Sequence, residues 1–316
     1  MNTLADLKSE LKSITAEFLS LKNLSAEERK QKGIELNEKK QSIIAKIKAL
    51  ENSPESTLPP VDITAPFADN ATPSPLKSGS IHPLMSELEH IVDIYAKMGF
   101  NVMESVQLDD EFHMFDSLNF PKDHPARDSY DTFRTSEGFI PPAHTSTMQY
   151  RALKKYKDNL ENGGEIAVVI PGRVFRNEDV DPTHEHTFYQ CEGVFVSKSA
   201  TVGNLIAIWK QFFEIYYGEK LNIKTQPSFF PFTEPSFEFL LEKPKSLGGK
   251  GDGWLEMGGC GMIHPNILKT AGIDPTIYRG FAWGGGIDRL VMLKHTLSDV
   301  RFFESGKLEF LENFSC

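Results

Sequence analysis

Residues 165–196 read EIAVVIPGRVFRNEDVDPTHEHTFYQCEGVFV, two apolar stretches separated by a polar segment. The apolar stretches are rich in β-branched and aromatic residues, which are typical of strands. The polar segment between them is too short for the helical crossover that two parallel strands would need. This part of the chain therefore predicts two antiparallel strands joined by a long turn.

The segments that follow extend this pattern. TVGNLIAIWKQFFEIYYG (201–218) predicts a long amphipathic helix, and GIDRLVMLKHTL (286–297) predicts a final one. PSFFPFTEPSFEFLL (227–241) and GWLEMGGCGMI (253–263) read as one strand each. Consecutive strands joined by turns predict an α+β fold, an antiparallel sheet flanked by helices.

The N-terminal residues predict an antiparallel helical hairpin over 1–50. Apolar residues recur there at steps of three and four, the seam of a coiled coil. They are Leu4, Leu7, Leu11, Ile14, Phe18 and Leu21 in the first helix, then Leu36, Ile43, Ile47 and Leu50 in the second. Ser25 with Glu28 is a capping-box signal for the second helix. The pattern fits a coiled coil for dimerisation or a partner protein as well as an arm that contacts RNA.

Residues 51–80 predict a linker, because they hold six prolines and no apolar period. The domain with the strands is then 81–316. No apolar run reaches the roughly 18 residues of a membrane span, and no signal peptide is visible. Cys191, Cys260 and Cys316 form no C-x-x-C pair, so we expect a cytoplasmic protein in a reducing compartment.

The net charge of −10 disfavours broad coating by nucleic acid. The charge is uneven, because residues 1–50 carry ten Lys/Arg and seven Asp/Glu. Contact with a polyanion through charge alone is therefore expected at the N-terminal segment.

Alternate residues of a strand share a face. In the second strand of the hairpin this face carries Phe188, Gln190 and Glu192, followed by valines. A buried Gln and Glu cost several kcal/mol unless they are partnered. The face is therefore either exposed or lines a site, to which Arg176 could contribute from the partner strand and Glu178 and His184 from the turn.

Two further segments allow both a functional and a structural interpretation. In FFPFTEPS (229–236), Phe230 and Phe232 could wall an aromatic pocket or pack in the core, and Glu234 could bind a metal or stay exposed. In GFAWGGGIDR (280–289), the glycines allow close backbone approach, and Arg289 at a helix N-terminus suits a phosphate. The glycine run also fits a plain turn. We expect no zinc at the sequence HEH (184–186), which lacks the H-E-x-x-H spacing.

Six segments taken together resemble one family. They are FDSLNFPKDHPARDSYDTF (115–133), HTSTMQ (144–149), GRVFRNEDVDPTHEHTFYQCEG (172–193), FFPFTEPS (229–236), GWLEMGGCGMIHPN (253–266) and GFAWGGGIDR (280–289). They resemble the catalytic core of class II aminoacyl-tRNA synthetases, specifically the α subunits of bacterial phenylalanyl-tRNA synthetases. The resemblance runs from about residue 81 onward, and the hairpin is similar to that family's tRNA-contacting arm.

The resemblance implies roles for individual residues. Arg176 would contact the α-phosphate and the substrate carboxylate, Phe188 and Arg289 would sandwich the adenine, and Glu178 and His184 would contact ATP. Others would hold the polar end of the amino acid: His144, Ser146, Gln149, Gln190 and Glu192. Phe230 and Phe232 would clamp its ring edge-on, Ala282 would form the pocket floor, and Glu234 would bind Mg²⁺ together with a β subunit.

The resemblance also implies an activity and its partners. L-Phenylalanine would be activated with ATP and Mg²⁺ and transferred to tRNA(Phe) by an assembly of two α and two β subunits, without a membrane. Editing is expected on the β subunit, and the chain leaves no room for a C-terminal anticodon domain. Two other functions stay open. One is a related ligase for another acid such as phosphoserine, and the other is a non-catalytic RNA-binding paralogue.

The chain departs from the family pattern at a few positions. Ser105 and Val106 stand where motif 1 usually has Gly-Pro, and Pro142 stands where an arginine is usual. Asp288 replaces a glutamate, and Gln226 replaces an arginine. These departures affect the expected subunit packing and the reach of charged groups, but they remove none of the residues named above.

Overall fold

A computed structural model describes residues 4–20, 26–51, 80–127, 132–247 and 253–314. The described helices are α1 (Leu4–Ser20), α2 (Ala26–Glu51), α3 (Pro83–Lys97), α4 (Glu111–Met114), α5 (Gln149–Glu161), α6 (Val202–Tyr217), α7 (Pro265–Thr270), α8 (Ile287–Lys294) and α9 (Leu308–Leu311). The strands are β1 (Asn101–Val102), β2 (Ile166–Phe175), β3 (Thr187–Ser197), β4 (Ile223–Phe230), β5 (Thr233–Glu242), β6 (Trp254–Ile263) and β7 (Arg279–Gly286). The chain divides into two compact units, Met1–Lys77 and Ser78–Cys316.

In the first unit, α1 and α2 pack against each other along an apolar seam, which confirms the predicted helical hairpin. The buried seam residues are Leu7, Ile14, Leu36, Ile43 and Ile47. Leu21, Ser25 and nearly all of the predicted linker lie outside the described residues, as do the side chains of Leu4 and Leu50. The capping box and those seam positions therefore stay predictions.

The second unit is built on one seven-stranded sheet with the order β1-β2-β3-β7-β6-β5-β4. β1 runs parallel to β2, and the other neighbouring pairs are antiparallel. The predicted α+β class is therefore confirmed, with a short parallel edge strand that the sequence did not indicate. The predicted hairpin is β2 and β3, in which Val174 lies opposite Phe188 and Gly172 opposite Gln190.

The prediction of a single strand over 227–241 is wrong, because this segment folds back on itself as parts of β4 and β5. Phe230 pairs with Thr233 across the reversal, and the register shifts between Ser228 and Phe230. Pro231 explains the turn, since its fixed φ suits a reversal and it has no N–H for a ladder. Phe230 and Phe232 therefore meet across a turn rather than by alternation along one strand.

Helices cover both faces of the sheet. On one face, a core cluster joins residues of α3, α6 and α8 to the sheet, including Tyr95, Trp209 and Trp283. Gly193 makes room for the indole of Trp283, since a Cβ there would lie 2.1 Å from that ring. On the other face, residues of α5 and α7 pack on valines such as Val194. Towards the start of β3 this apolar packing gives way to polar residues, and the candidate site lies there.

Within the described ranges, none of the helices combines the length and apolar character that a bilayer crossing requires.

Candidate functional site

A cavity of about 220 Å³ opens on the α5 side of the sheet. Its walls come from β3, β6, β7, the β4–β5 turn and the segment before α5. The lining residues are His144, Ser146, Arg176, Gln190, Glu192, Phe230, Phe232, Thr233, Gly259, Cys260, Ala282, Trp283 and Gly284. A larger cavity of about 520 Å³ lies beside α3 and α9, and none of the predicted site residues lines it. The convergence of polar and aromatic groups, rather than size, therefore selects the smaller cavity.

A buried carboxylate, Glu192, stands at the polar end of the cavity. Ser146 Oγ donates to its Oε2 at 2.8 Å, and Gln149 Nε2 donates to its Oε1 at 2.5 Å. Burial raises the pKa of Glu192 to about 7, while these two hydrogen bonds oppose the rise. Gly284 lies opposite Glu192, and a Cβ there would come within 2.9 Å of its carboxylate. A side chain at this position of β7 would therefore push the Glu192 carboxylate away from its present position.

Further polar atoms surround Glu192. The Thr145 N–H donates to Gln190 Oε1 at 3.4 Å. Burial, and then the charge of Arg176, lower the pKa of His144 to about 3, so its ring is neutral at pH 7. His144 Nδ1 and Gln149 Oε1 are buried without a hydrogen-bond partner among the described residues. Such atoms cost about 1–3 kcal/mol each. Of these two residues His144 lines the cavity, so a polar ligand that satisfies its Nδ1 would gain that much.

The other end of the cavity is aromatic. The rings of Phe230 and Phe232 stack with centroids 5.6 Å apart and planes at 14°. Gly259 permits this position, since a Cβ there would lie 2.7 Å from Phe230 Cζ. Ala282 and Cys260 are buried and close the cavity between the rings and the sheet. The cavity thus offers an apolar, flat-walled end opposite a carboxylate.

Arg176 lies just beyond the end of β2 and is held from several sides. Its backbone N–H donates to the His186 carbonyl at 2.9 Å, and its Nε donates to the Ala143 carbonyl at 3.1 Å. The guanidinium carbon lies 5.0 Å from the centre of the Phe188 ring, within cation–π range. Glu178 Oε1 is 3.7 Å from its Nη1. A fixed cation therefore stands at the mouth of the cavity.

Arg289 lies in the first turn of α8 and is exposed. The start of α8 is tied to β3, because the buried Asp288 accepts a hydrogen bond from the Tyr189 N–H at 2.6 Å. Burial raises the pKa of Asp288 to about 7. β2 pairs with one edge of β3 and β7 with the other, so the topology brings Arg176 and Arg289 to the same end of β3. Arg289 has no ion-pair partner within the described part of the chain.

Six predicted residues do not line the cavity: Gln149, Glu178, Phe188 and Arg289, described above, and also His184 and Glu234. His184 is exposed in the turn after β2, where its Nδ1 lies 3.0 Å from Asp181 Oδ2. The Glu234 side chain is 74% exposed, and its Oε2 lies 3.3 Å from His264 Nε2. Glu234 lines a separate cavity of about 420 Å³.

One acidic grouping among the described residues is close enough for a cation: Asp109, Asp110 and His113. It does not include Glu234. Arg151 binds both carboxylate oxygens of Asp109 at 2.8 Å, so this carboxylate already has a cationic partner. The Arg151 guanidinium therefore disfavours a metal ion at this grouping.

Sequence reasoning missed several lining residues. Gly259 lies opposite Gly284 across β6 and β7, where two glycines leave room for Phe230 and Glu192. The glycine runs were visible in the sequence, but their pairing depends on a register that no local pattern gives. Thr233 and Cys260 carried no signal of their own.

Comparisons with known proteins identify the family of the chain. The family model of tRNA synthetases class II core domain (F) matches residues 60–314, and that of the aminoacyl tRNA synthetase class II N-terminal domain matches residues 8–56. A phenylalanine–tRNA ligase alpha subunit of Leptospira biflexa is 41% identical over 252 residues, which cover 78% of this chain and 72% of the relative. One of Bacillus mycoides is 39% identical over 259 residues, covering 80% and 72%. The chain therefore belongs to the family of class II tRNA synthetase core domains (F).

Proposed function

We propose that the chain is the catalytic α subunit of a heteromeric phenylalanine–tRNA ligase, which forms phenylalanyl-adenylate from L-phenylalanine and ATP and transfers the phenylalanyl group to the 3′-terminal ribose of tRNA(Phe). The relatives are named phenylalanine–tRNA ligase alpha subunits, and the matching family model of tRNA synthetases supports the same reaction class. The observation that carries the proposal is the cavity itself. Stacked Phe230 and Phe232 stand at one end and the buried carboxylate of Glu192 at the other.

The two ends of the cavity match the two ends of phenylalanine. The carboxylate of Glu192 would pair with the substrate ammonium group, and Ser146 and Gln149 keep that carboxylate in place. His144 and Gln190 add neutral polar contacts. The substrate ring would pack edge-on against Phe230 and Phe232, with Ala282 beneath it.

The mouth of the cavity suits the nucleotide. In-line attack of a carboxylate on an α-phosphate needs little proton transfer, so the site must mainly position two anions and neutralise developing charge. Arg176 would contact the α-phosphate and the substrate carboxylate, with Glu178 beside it. Phe188 and Arg289 would hold the adenine, and the exposed His184 would reach ATP from its turn. The lining residues of the cavity include no other arginine or lysine, which disfavours phosphoserine as the substrate.

Magnesium fits Glu234 as a partial site. Mg²⁺ uses one or two protein carboxylates and otherwise water or phosphate oxygens, and Glu234 offers one exposed carboxylate. Its place outside the cavity suits a site completed by the β subunit. A bound ion would be coordinated by the Glu234 carboxylate of this chain and by oxygen ligands of the β subunit, and so would connect the two subunits.

The assembly and the tRNA contacts are part of the same proposal. The α-subunit name of the relatives implies a β subunit, which we expect in two copies with two α subunits in the cytoplasm. The hairpin 1–50, joined through the linker 51–80 to the catalytic domain 81–316, would contact tRNA(Phe). Editing of misactivated tyrosine would belong to the β subunit.

The test is ATP–pyrophosphate exchange by this chain co-expressed and purified with its β subunit. We expect exchange that depends on L-phenylalanine and is absent for the chain purified alone. Exchange that requires a different acid would contradict the proposal. Phenylalanine-dependent exchange by the chain alone would contradict its heteromeric part.

Replacing Ala282 with glycine is expected to enlarge the ring end of the cavity. Para-chloro-phenylalanine should then support exchange with at least about 10-fold higher kcat/KM than in the wild type, a change of the size that one small group in an apolar pocket produces. The kcat/KM for phenylalanine itself serves as the reference. Unchanged selectivity would mean that Ala282 is not the pocket floor.

The KM for phenylalanine is expected to fall about 10-fold between pH 6 and pH 8, because a pKa near 7 leaves Glu192 mostly protonated below that pH and ionised above it. Only the ionised carboxylate attracts the substrate ammonium group. Asp288 titrates in the same range. The control is therefore Glu192→Gln, whose KM should lose this pH dependence. A flat profile in the wild type would contradict the assignment.

A further inference from the structure

A buried charge cluster lies next to the cavity but outside its lining. The Asp109 side chain is 1% exposed, and Arg151 donates to its two carboxylate oxygens at 2.8 Å each. Thr147 Oγ1 donates a short hydrogen bond to the same carboxylate. The Asp109 backbone is itself fixed, since its N–H and carbonyl both pair with Ile140 at 2.8 Å. The Asp110 N–H also donates to this carboxylate, at 2.8 Å. Asp109 is therefore a rigid acceptor that holds Thr147, from the segment before α5, and Arg151, from its first turn.

Those two donors lie within two residues of the ones that hold Glu192. Thr147 belongs to the 3₁₀ turn Thr145–Met148, between Ser146 and Gln149, and Arg151 lies in the first turn of α5. Ser146 and Gln149 supply the two hydrogen bonds to the Glu192 carboxylate. The positions of both Glu192 donors therefore depend on a short backbone segment that Asp109 holds at two points.

We propose that Asp109 is a positioning residue for the amino-acid substrate. It does not line the cavity, and it acts by fixing the 3₁₀ turn so that Ser146 and Gln149 point at Glu192. This inference rests on the proposed function, in which Glu192 receives the ammonium group of phenylalanine. Supporting residues that lock the groups of a site set the affinity of that site without touching the ligand.

Loss of the Asp109 carboxylate affects the site in a specific direction. Arg151 would lose its buried partner, and Thr147 would lose its acceptor. The turn could then rotate, and Glu192 would lose hydrogen bonds that favour its ionised form. Substrate ammonium binding would weaken most. The groups proposed for ATP lie on β3, on α8 and in the segment between β2 and β3, and among them Arg176 touches the neighbouring backbone through the Ala143 carbonyl, outside the 3₁₀ turn itself.

The experiment compares Asp109→Asn and Thr147→Val with the wild type, each co-expressed with the β subunit. Glu87→Gln is the matched control, because Glu87 is another buried carboxylate with two close donors, Lys294 Nζ and Tyr216 Oη, each at 2.8 Å. The KM values for phenylalanine and ATP are measured by exchange. The thermal midpoint and the amide hydrogen exchange of residues 143–151 are measured in parallel.

Asp109→Asn is expected to raise the KM for phenylalanine at least about 10-fold with kcat and the KM for ATP changed less than about twofold, as when binding common to ground and transition states is lost. Thr147→Val should act in the same direction, by about threefold, since it removes one hydrogen bond. Both should speed amide exchange across 143–151. Glu87→Gln should lower the thermal midpoint without changing the KM for phenylalanine.

An unchanged KM for phenylalanine in both variants, or an equal rise in Glu87→Gln, would overturn the positioning role. If Asp109→Asn does not fold, Thr147→Val decides by the same measurements. A wild-type complex without phenylalanine-dependent exchange would refute the proposed function instead. Amide exchange would then still test whether Asp109 fixes the 3₁₀ turn. Unchanged protection of the amides of 143–151 in Thr147→Val would refute that structural role.

Discussion

Arg176→Ala is expected to lower the rate of phenylalanine-dependent ATP–pyrophosphate exchange by at least about 10²-fold, the usual effect of removing a preorganised donor from a transition state. The guanidinium is fixed in advance by the Ala143 carbonyl and by the face of Phe188. It therefore needs no reorganisation when charge develops on the phosphate oxygens. The measurement is steady-state exchange by the complex with the β subunit.

Arg173→Ala is the matched control. Arg173 lies in β2, three residues before Arg176, and does not line the cavity; its Nη2 lies 3.5 Å from Glu304 Oε2. Its exchange rate should stay within a few-fold of the wild type, since it contributes no donor to the cavity. Arg176→Lys should recover only part of the lost rate, because an ammonium group lacks the fork of two parallel donors. Near-normal exchange by the assembled Arg176→Ala enzyme would contradict its role at the phosphate.

The second large effect is expected for Glu192→Gln, which keeps the shape of the side chain and removes its charge. The kcat/KM for phenylalanine should fall between about 30-fold and several thousand-fold, since losing one partner of a buried charge pair costs about 2–5 kcal/mol. One of the two partners can still donate to the remaining amide oxygen, and the new NH2 group can donate to the other partner through Ser146 Oγ or Gln149 Oε1, so the fold of the site should persist. Direct titration of L-phenylalanine by calorimetry checks the loss of affinity without relying on turnover.

Glu87→Gln is again the control. It removes a buried carboxylate outside the cavity, so it distinguishes the loss of charge at the substrate from the loss of any buried carboxylate. It should leave phenylalanine affinity within about twofold of the wild type, as expected for a change far from the ligand. An affinity of Glu192→Gln equal to that of the wild type would show that the ammonium group is bound by another residue.

The hairpin of β2 and β3 could be predicted from sequence because its physics is local. Two β-branched stretches around a polar turn define the strands, and alternation places Phe188, Gln190 and Glu192 on one face. This face carries polar residues where a core strand would carry apolar ones, and that difference indicated a site. Gln190 and Glu192 line the cavity, and Phe188 packs under Arg176.

Other parts of the site depend on contacts between distant residues. The reversal at Pro231 was hidden because aromatic residues on both sides have the same strand propensity. The pairing of Gly259 with Gly284 requires the register of β6 on β7. The contact of Asp109 with Arg151 joins residues 42 positions apart, and neither residue type is unusual on its own. Such features follow from tertiary packing, which no short window of sequence contains.

The position of three side chains on one strand has a consequence for how this scaffold can change. Successive same-face residues of a strand lie about 6.5–7 Å apart. The regular spacing of β3 therefore sets the distance between Phe188, which would contact the adenine, and Glu192, which would bind the substrate ammonium group in the proposed complex. Hydrogen bonds to β2 on one edge and to β7 on the other hold β3 in place. Specificity for a different acid could therefore arise by exchanging side chains around Glu192. Inserting a single residue in β3 would instead turn the following side chains to the other face of the sheet, and binding of both the amino acid and ATP would be lost.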